Sequence, residues 1–114
     1  MMKIITKEID KLLEREGQKV QHDVSTGNTS SKLMAVCHLF HPFSDWDWYL
    51  IGYSMKGGKD YVFALTSGFE IEYGDVYLPE LLEIRICGLP LERELVFKPI
   101  DVKELYEKLK KGER

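Results

Sequence analysis

Nothing in this 114-residue sequence approaches the ~18 consecutive apolar residues that a membrane-spanning helix requires. The opening stretch MMKIITKEIDKLL also lacks the apolar segment and small-residue cleavage site of a secretory signal, so the expected location is the cytoplasm. Cysteine is scarce: Cys37 and Cys87 are the only two, each within an apolar run (MAVCHLF and IRICGLP) rather than a CxxC spacing. Both therefore read as reduced core thiols. The phosphate-cradling spacings GxxxxGKS and GxGxxG are missing, as is HExxH, which leaves nucleotide hydrolysis and zinc-dependent hydrolysis without their motifs. A dominant charge of one sign is lacking too. With 16 basic and 19 acidic residues, the net charge of −3 gathers neither phosphate backbones nor anionic lipid, so nucleic acid and membrane are not the expected partners.

What is present is enough apolar side chain, 44% of residues, to close one hydrophobic core without disulfide or metal. The length suits one domain over residues 1–114, with a mobile loop at about 18–31 and a flexible tail at about 111–114. Thr6 followed by KEIDKLLERE predicts a capped helix with Ile9, Leu12 and Leu13 turned inward, and Gly17 is placed to stop it. The polar segment QKVQHDVSTGNTSS has neither helical nor strand period and reads as the loop. KLMAVCHLFH, WDWYLIGYS and YVFALTSGF then read as successive antiparallel strands, with Gly57 and Gly58 supplying a tight turn. EIEYGDVYL alternates, Ile71 and Tyr73 against Glu70 and Glu72, until Gly74, where a bulge or bend is expected. Pro79 fits the first turn of a short helix, PELLEIR; ERELVFKP reads as a further strand; and DVKELYEKLKKG is a helix with Asp101 as cap and Val102, Leu105, Tyr106 and Leu109 as its buried stripe. The fold class is α+β: a mostly antiparallel sheet of four or five strands with an N-terminal, a middle and a C-terminal helix.

Few residues combine into chemistry. His38 and His41 are three apart on a strand and so face opposite ways, which weakens them as a zinc pair even with Asp45 and Asp47 nearby; no metal or cofactor is expected. Cys37 beside His38 is no nucleophile and base, because adjacent strand residues point apart. Glu70, Glu72 and Asp75 on one strand, and Glu92, Arg93 and Glu94 on another, read first as solvated carboxylates and ion pairs. Trp46, Trp48 and Tyr49 form the one unusual concentration of aromatics; the two tryptophans share a strand face and Tyr49 takes the other, so one face is a candidate binding platform.

The ordered pieces WDWYLIGYS, YVFALTSGFEIEYGDVYLPEL and GLPLERELVFKP resemble the family called domain of unknown function 2958, small proteins encoded on bacterial chromosomes, plasmids, conjugative elements and phages. The similarity runs over about residues 1–106 and rests on Trp48-Tyr49, Gly68-Phe69-Glu70, Glu72-Tyr73-Gly74, Glu80-Leu81 and Leu91 to Leu95 together. It departs at Gly52, where the family usually has Glu, and at Ala64, where Gly is common. The resemblance implies a shared fold and a genomic setting, and no activity. It directs attention to Trp48, Glu70, Glu72, Glu92 and Arg93, which with Trp46 and Tyr49 make up the candidate binding residues. Three functions stay open. The first is a non-enzymatic protein-binding factor of a mobile genetic element, accessory or counter-defence, with a homodimer allowed. The second is a small enzyme or a sequestering protein for a small molecule or nucleotide, with Trp48, Glu70, Glu72 and Arg93 lining a pocket. The third is an acidic nucleic-acid mimic.

Overall fold

The computed structural model describes residues 4–27, 32–54 and 58–112. Thr6 opens the first helix as its position requires, its Oγ1 accepting the Ile9 N–H at 3.2 Å. That helix, α1 (Lys7–Thr26), does not stop at Gly17; it runs on to Gly27, whose φ of +69° is the left-handed cap. Residues 18–26 of the expected loop are thus helical, and residues 28–31 lie outside the described residues. The misreading has a physical source: beyond Gly17 the helix buries little, with Gln18, Gln21 and His22 exposed, so no apolar stripe marks it.

Gly17 serves a different purpose. A Cβ there would lie 2.5 Å from the Tyr53 carbonyl oxygen, and one on Gly52 would lie 2.3 Å from the Gly17 nitrogen. The helix therefore crosses the strand carrying Gly52 backbone against backbone. Glu16, beside the crossing, is fully buried, and its carboxylate accepts from Arg15 Nε (2.8 Å), Lys19 Nζ (3.1 Å) and the Met34 N–H (2.8 Å). A buried carboxylate needs such partners, and these tie the helix to the chain that enters the sheet.

After the short β1 (Met34–Ala35), a meander follows: β2 (Cys37–Phe40), β3 (Asp47–Tyr53), β4 (Tyr61–Ser67) and β5 (Ile71–Tyr77). Next come α2 (Leu78–Leu82), the short ribbon β6 (Arg85–Ile86) and β7 (Leu89–Pro90), then β8 (Glu92–Arg93), β9 (Ile100–Asp101) and α3 (Val102–Lys110). The main sheet has the order β5-β4-β3-β2-β8, all antiparallel, and β1 pairs separately with β9. The α+β expectation, with three helices and five main strands, is met. The tight turn expected at Gly57–Gly58 lies partly outside the described residues; Gly58–Asp60 form one 3₁₀ turn.

Two cores result. On one face α1 and α2 cover Leu39, Trp48, Leu50, Val62 and Ala64 with Ile9, Leu13 and Leu81; on the other α3 brings Val102, Leu105 and Leu109 against Tyr49, Ile51 and Leu65. Truncating a fully buried leucine such as Leu13 or Leu39 to alanine is worth about 2–5 kcal/mol. The bulge expected at Gly74 is absent, since β4 and β5 pair without a shift; the irregularity is at Ile51, between Leu50 and Gly52. ERELVFKP is a strand only over Glu92–Arg93, because the chain turns after Glu94 and leaves Leu95 and Val96 exposed. Cys37 is buried as expected, whereas Cys87 is exposed at φ +54° in the turn between β6 and β7, followed by Gly88 at +76°. Two consecutive positive φ values are what a tight antiparallel ribbon demands, and they override the apolar context that suggested burial. No helix among the described residues is long and apolar enough to cross a membrane.

Gly52→Ala places its methyl inside the Gly17 backbone and is expected to cost about 3 kcal/mol or more in urea unfolding. Gly74→Ala meets open space and should change stability by less than about 1 kcal/mol, so equal effects would contradict the backbone crossing.

Candidate functional site

The cross-strand registers decide which candidate residues meet. Glu72, Thr66, Trp48, Leu39 and Arg93 lie in one row across all five strands. At about 4.8 Å between neighbouring strands, Glu72 and Arg93 stand roughly 19 Å apart, so the structure does not bring them into one pocket with Trp48. Trp48 and Tyr49 are buried on opposite faces, and Trp46 is half-buried. Trp46 lies over Gly68, where any Cβ would sit 2.5 Å from its ring, and its centroid is 6.0 Å from Trp48 and 5.3 Å from Phe69, which it meets edge-on. That stack ends in solvent, because Phe69 at the tip of the β4–β5 hairpin is 93% exposed. Glu70, Glu72 and Glu92 are exposed. Arg93 is half-buried with its Nε closed off from solvent and without a hydrogen-bond partner among the described residues.

A cluster that sequence reasoning missed sits on the α3 face. His38 Nδ1–H donates to Glu94 Oε1 at 2.6 Å and Nε2–H to the buried Asp47 Oδ1 at 2.7 Å, while the ring stacks on Tyr49 at 4.3 Å. Donating to two carboxylates requires a proton on each nitrogen, so the geometry selects the imidazolium. Burial opposes that charge, but the hydrogen bonds to Asp47 and Glu94 and the charges of both carboxylates outweigh it and raise the His38 pKa above its ordinary 6.5. With both nitrogens engaged, His38 has none left for a substrate proton. It works as a clip joining β2, β3 and the chain after β8. The missed signal was parity: on paired antiparallel strands His38 faces Tyr49 and lies two residues from the Phe40–Asp47 pair, on one face.

The other reactive side chains are also engaged. His41, buried, donates from Nε2 to the Leu89 carbonyl and accepts the Phe43 N–H at Nδ1, each at 3.0 Å, fastening the 41–46 loop to β7. Cys37 faces away from His38, and burial pushes its thiol up to about 12 even though the Arg93 charge acts the other way. No three His, Cys, Asp or Glu side chains among the described residues are placed to hold a metal ion. An open groove of about 350 Å³ runs along Glu14, Gly17, Gln18, Tyr53 and Lys59, but its charges satisfy one another: Lys59 bonds Asp10 (3.0 Å) and Glu14 (2.7 Å), and the Tyr53 hydroxyl donates to Asp10 (2.6 Å).

What stays open is an edge. β5 ends the sheet, seven residues long, while the opposite edge strand β8 has only two. The Ser54 N–H donates to the Tyr61 carbonyl and the Gly68 N–H to the Glu70 carbonyl, which fixes the alternation along β4. Odd-numbered residues of β4 bond towards β3 and even-numbered ones towards β5, so on β5 residues 72, 74 and 76 bond inward. The N–H and C=O of Ile71, Tyr73 and Asp75 are left pointing outward, and among the described residues no strand meets them; the Tyr77 carbonyl, at the N-cap of α2, is taken up by the helix. Beside this row stand Tyr73 and Tyr77, 44% and 42% exposed, on one face, and Glu70 and Glu72 on the other. Tyr73 is held upright by stacking on Phe63 (6.0 Å) and on Tyr106 of α3 (5.5 Å). Comparison with protein-family models, with curated proteins and with solved structures finds no match.

Two outcomes are expected at these groups. Because the folded pKa of His38 is raised, its contribution to stability is full below pH 6.5 and is lost as pH rises through the folded value. The urea midpoint should therefore fall over that interval, and His38→Gln should flatten the fall; an unchanged slope would remove the imidazolium clip. A thiol reagent applied to the native protein should modify Cys87 alone and reach Cys37 only after unfolding, as counted by mass spectrometry.

Proposed function

We propose that this protein is a binding module that accepts an extended segment of another protein as an added strand along β5. The observation that carries this is the free edge itself: three residues, Ile71, Tyr73 and Asp75, with outward-directed backbone groups on a long edge strand, when natural sheets ordinarily shorten, cover or kink such edges. β5 is straight in register over its whole length, and Gly74 at its centre has no side chain to obstruct an approaching backbone. Strand addition takes its affinity from main-chain hydrogen bonds and its selectivity from alternate side chains, and both are available here. The exposed Phe69 extends the same edge beyond the strand. Catalysis has less to stand on, because the imidazoles are committed to structural bonds and the buried thiol is held protonated. An accessory or counter-defence role for a mobile genetic element, acting in the cytoplasm, agrees with this reading and with the resemblance to the 2958 family.

Hydrogen exchange should find the amides of Tyr73 and Asp75 fast and those of Glu72 and Val76 slow. Panning random ten-residue peptides should return binders that slow Tyr73 and Asp75 and are lost on Asp75→Pro, a change an edge strand tolerates where its N–H faces solvent. Binders that leave those amides fast and survive the proline would refute strand addition.

A further inference from the structure

We infer that the segment accepted by β5 is basic at alternate positions, with lysine or arginine on the face of Glu70 and Glu72 and apolar or aromatic side chains on the face of Tyr73 and Tyr77. This rests on the strand-addition reading above and names its partner class.

Charge is unevenly distributed along the chain. Residues 60–84, which hold β4, β5 and α2, carry Asp60, Glu70, Glu72, Asp75, Glu80 and Glu83 and not one lysine or arginine. The net charge of −3 thus conceals a strong separation: this region has six of the 19 acidic residues and none of the 16 basic ones. Several carboxylates elsewhere are matched with cations, as Asp10 and Glu14 are with Lys59, Glu16 with Arg15 and Lys19, Asp101 with Lys32 and Glu104 with Lys108. Along the free edge no cation among the described residues pairs with Glu70, Glu72 or Asp75. The one long edge of the sheet is therefore also where negative charge is left uncompensated.

The geometry of an added strand turns that charge into a pattern. Side chains directly opposite across an antiparallel pair lie about 4.5–5.5 Å apart, so every second residue of the segment would stand beside Glu72 and Glu70, where carboxylates alone are charged, and the intervening ones beside Tyr73 and Tyr77, with the exposed Asp75 between the two rings. Cations on the first face would gain the charge pairs that the protein itself withholds, and carbon-rich side chains on the second would cover the tyrosine rings. A second copy of this chain fits less well, since pairing β5 with itself over its whole length would set Glu72 opposite Val76 and Asp75 opposite Tyr73 and so bring no cation to either carboxylate.

The test uses the full chain and three labelled ten-residue peptides followed by fluorescence anisotropy: alternating Lys-Val, the same composition as a Lys block followed by a Val block, and alternating Glu-Val. The alternating Lys-Val peptide should bind about tenfold more tightly than the block peptide. The double variant Glu70→Lys, Glu72→Lys should lose about tenfold for it and gain for Glu-Val. Asp75→Pro should abolish binding of the alternating peptide. If Lys-Val and Glu-Val bind alike and both are lost on Asp75→Pro, the charge inference fails while strand addition stands. If the block peptide binds as well as the alternating one and Asp75→Pro changes nothing, both fail. If the alternating Lys-Val peptide does not bind, the inference is overturned.

Discussion

The contact on which the other parts of this fold depend is the one made without side chains, where α1 passes over β3 at Gly17 and Gly52. With no Cβ on either residue, helix and strand approach backbone to backbone, and any larger residue at either position would have to push them apart. That approach lets Glu16 sink fully out of solvent, where Arg15, Lys19 and the Met34 N–H hold it, and it sets the helix above the middle of the sheet. The bulge at Ile51 belongs to the same contact, since it lies immediately before the glycine that α1 crosses. The helix covers a face of the sheet and not its edges, so the outward backbone groups of β5 stay open because β5 is the last strand in the sheet order.

The opposite face is organised by charge and aromatic stacking rather than by close approach. His38, held between Asp47 and Glu94 and stacked on Tyr49, replaces what would otherwise be an apolar patch beside the α3 core. Three charged groups in a half-buried place are tolerable only because each satisfies another. This accounts for why the most reactive-looking side chains of the molecule are poor candidates for chemistry: their hydrogen-bonding capacity is already used to keep β2, β3 and the chain following β8 in register.

Function is therefore better sought in unsatisfied groups than in reactive ones. Asp10, Glu14 and Glu16 on α1 and Glu104 on α3 have cations beside them, whereas Glu70, Glu72 and Asp75 do not, and no strand among the described residues meets the outward amides and carbonyls of β5. A surface that leaves both backbone and charge unmatched along one line is suited to a partner that supplies a backbone and the opposite charge. The sequence-level view of Trp48 as part of an exposed platform gives way here, because α1 and Trp46 bury it and the stack reaches solvent only at Phe69.

Local rules of chemistry carried the sequence reading a long way. Thr6 and Asp101 as caps, Pro79 in a first turn, the opposed faces of Trp48 and Tyr49 and the alternation of β5 are all decided by residues a few positions apart, and all hold in the structure. The failures share a cause as well. Gly17 as a crossing point rather than a stop, Ile51 rather than Gly74 as the bulge, Cys87 at the surface and the His38 clip each depend on a neighbour distant in the chain. Sequence by itself thus determined the N-caps of α1 and α3, the meander and which side chains share a strand face. Only the tertiary structure decided which edge stays uncovered and which charges stay unpaired, because both are settled by what packs across the sheet and not by what precedes or follows in the chain.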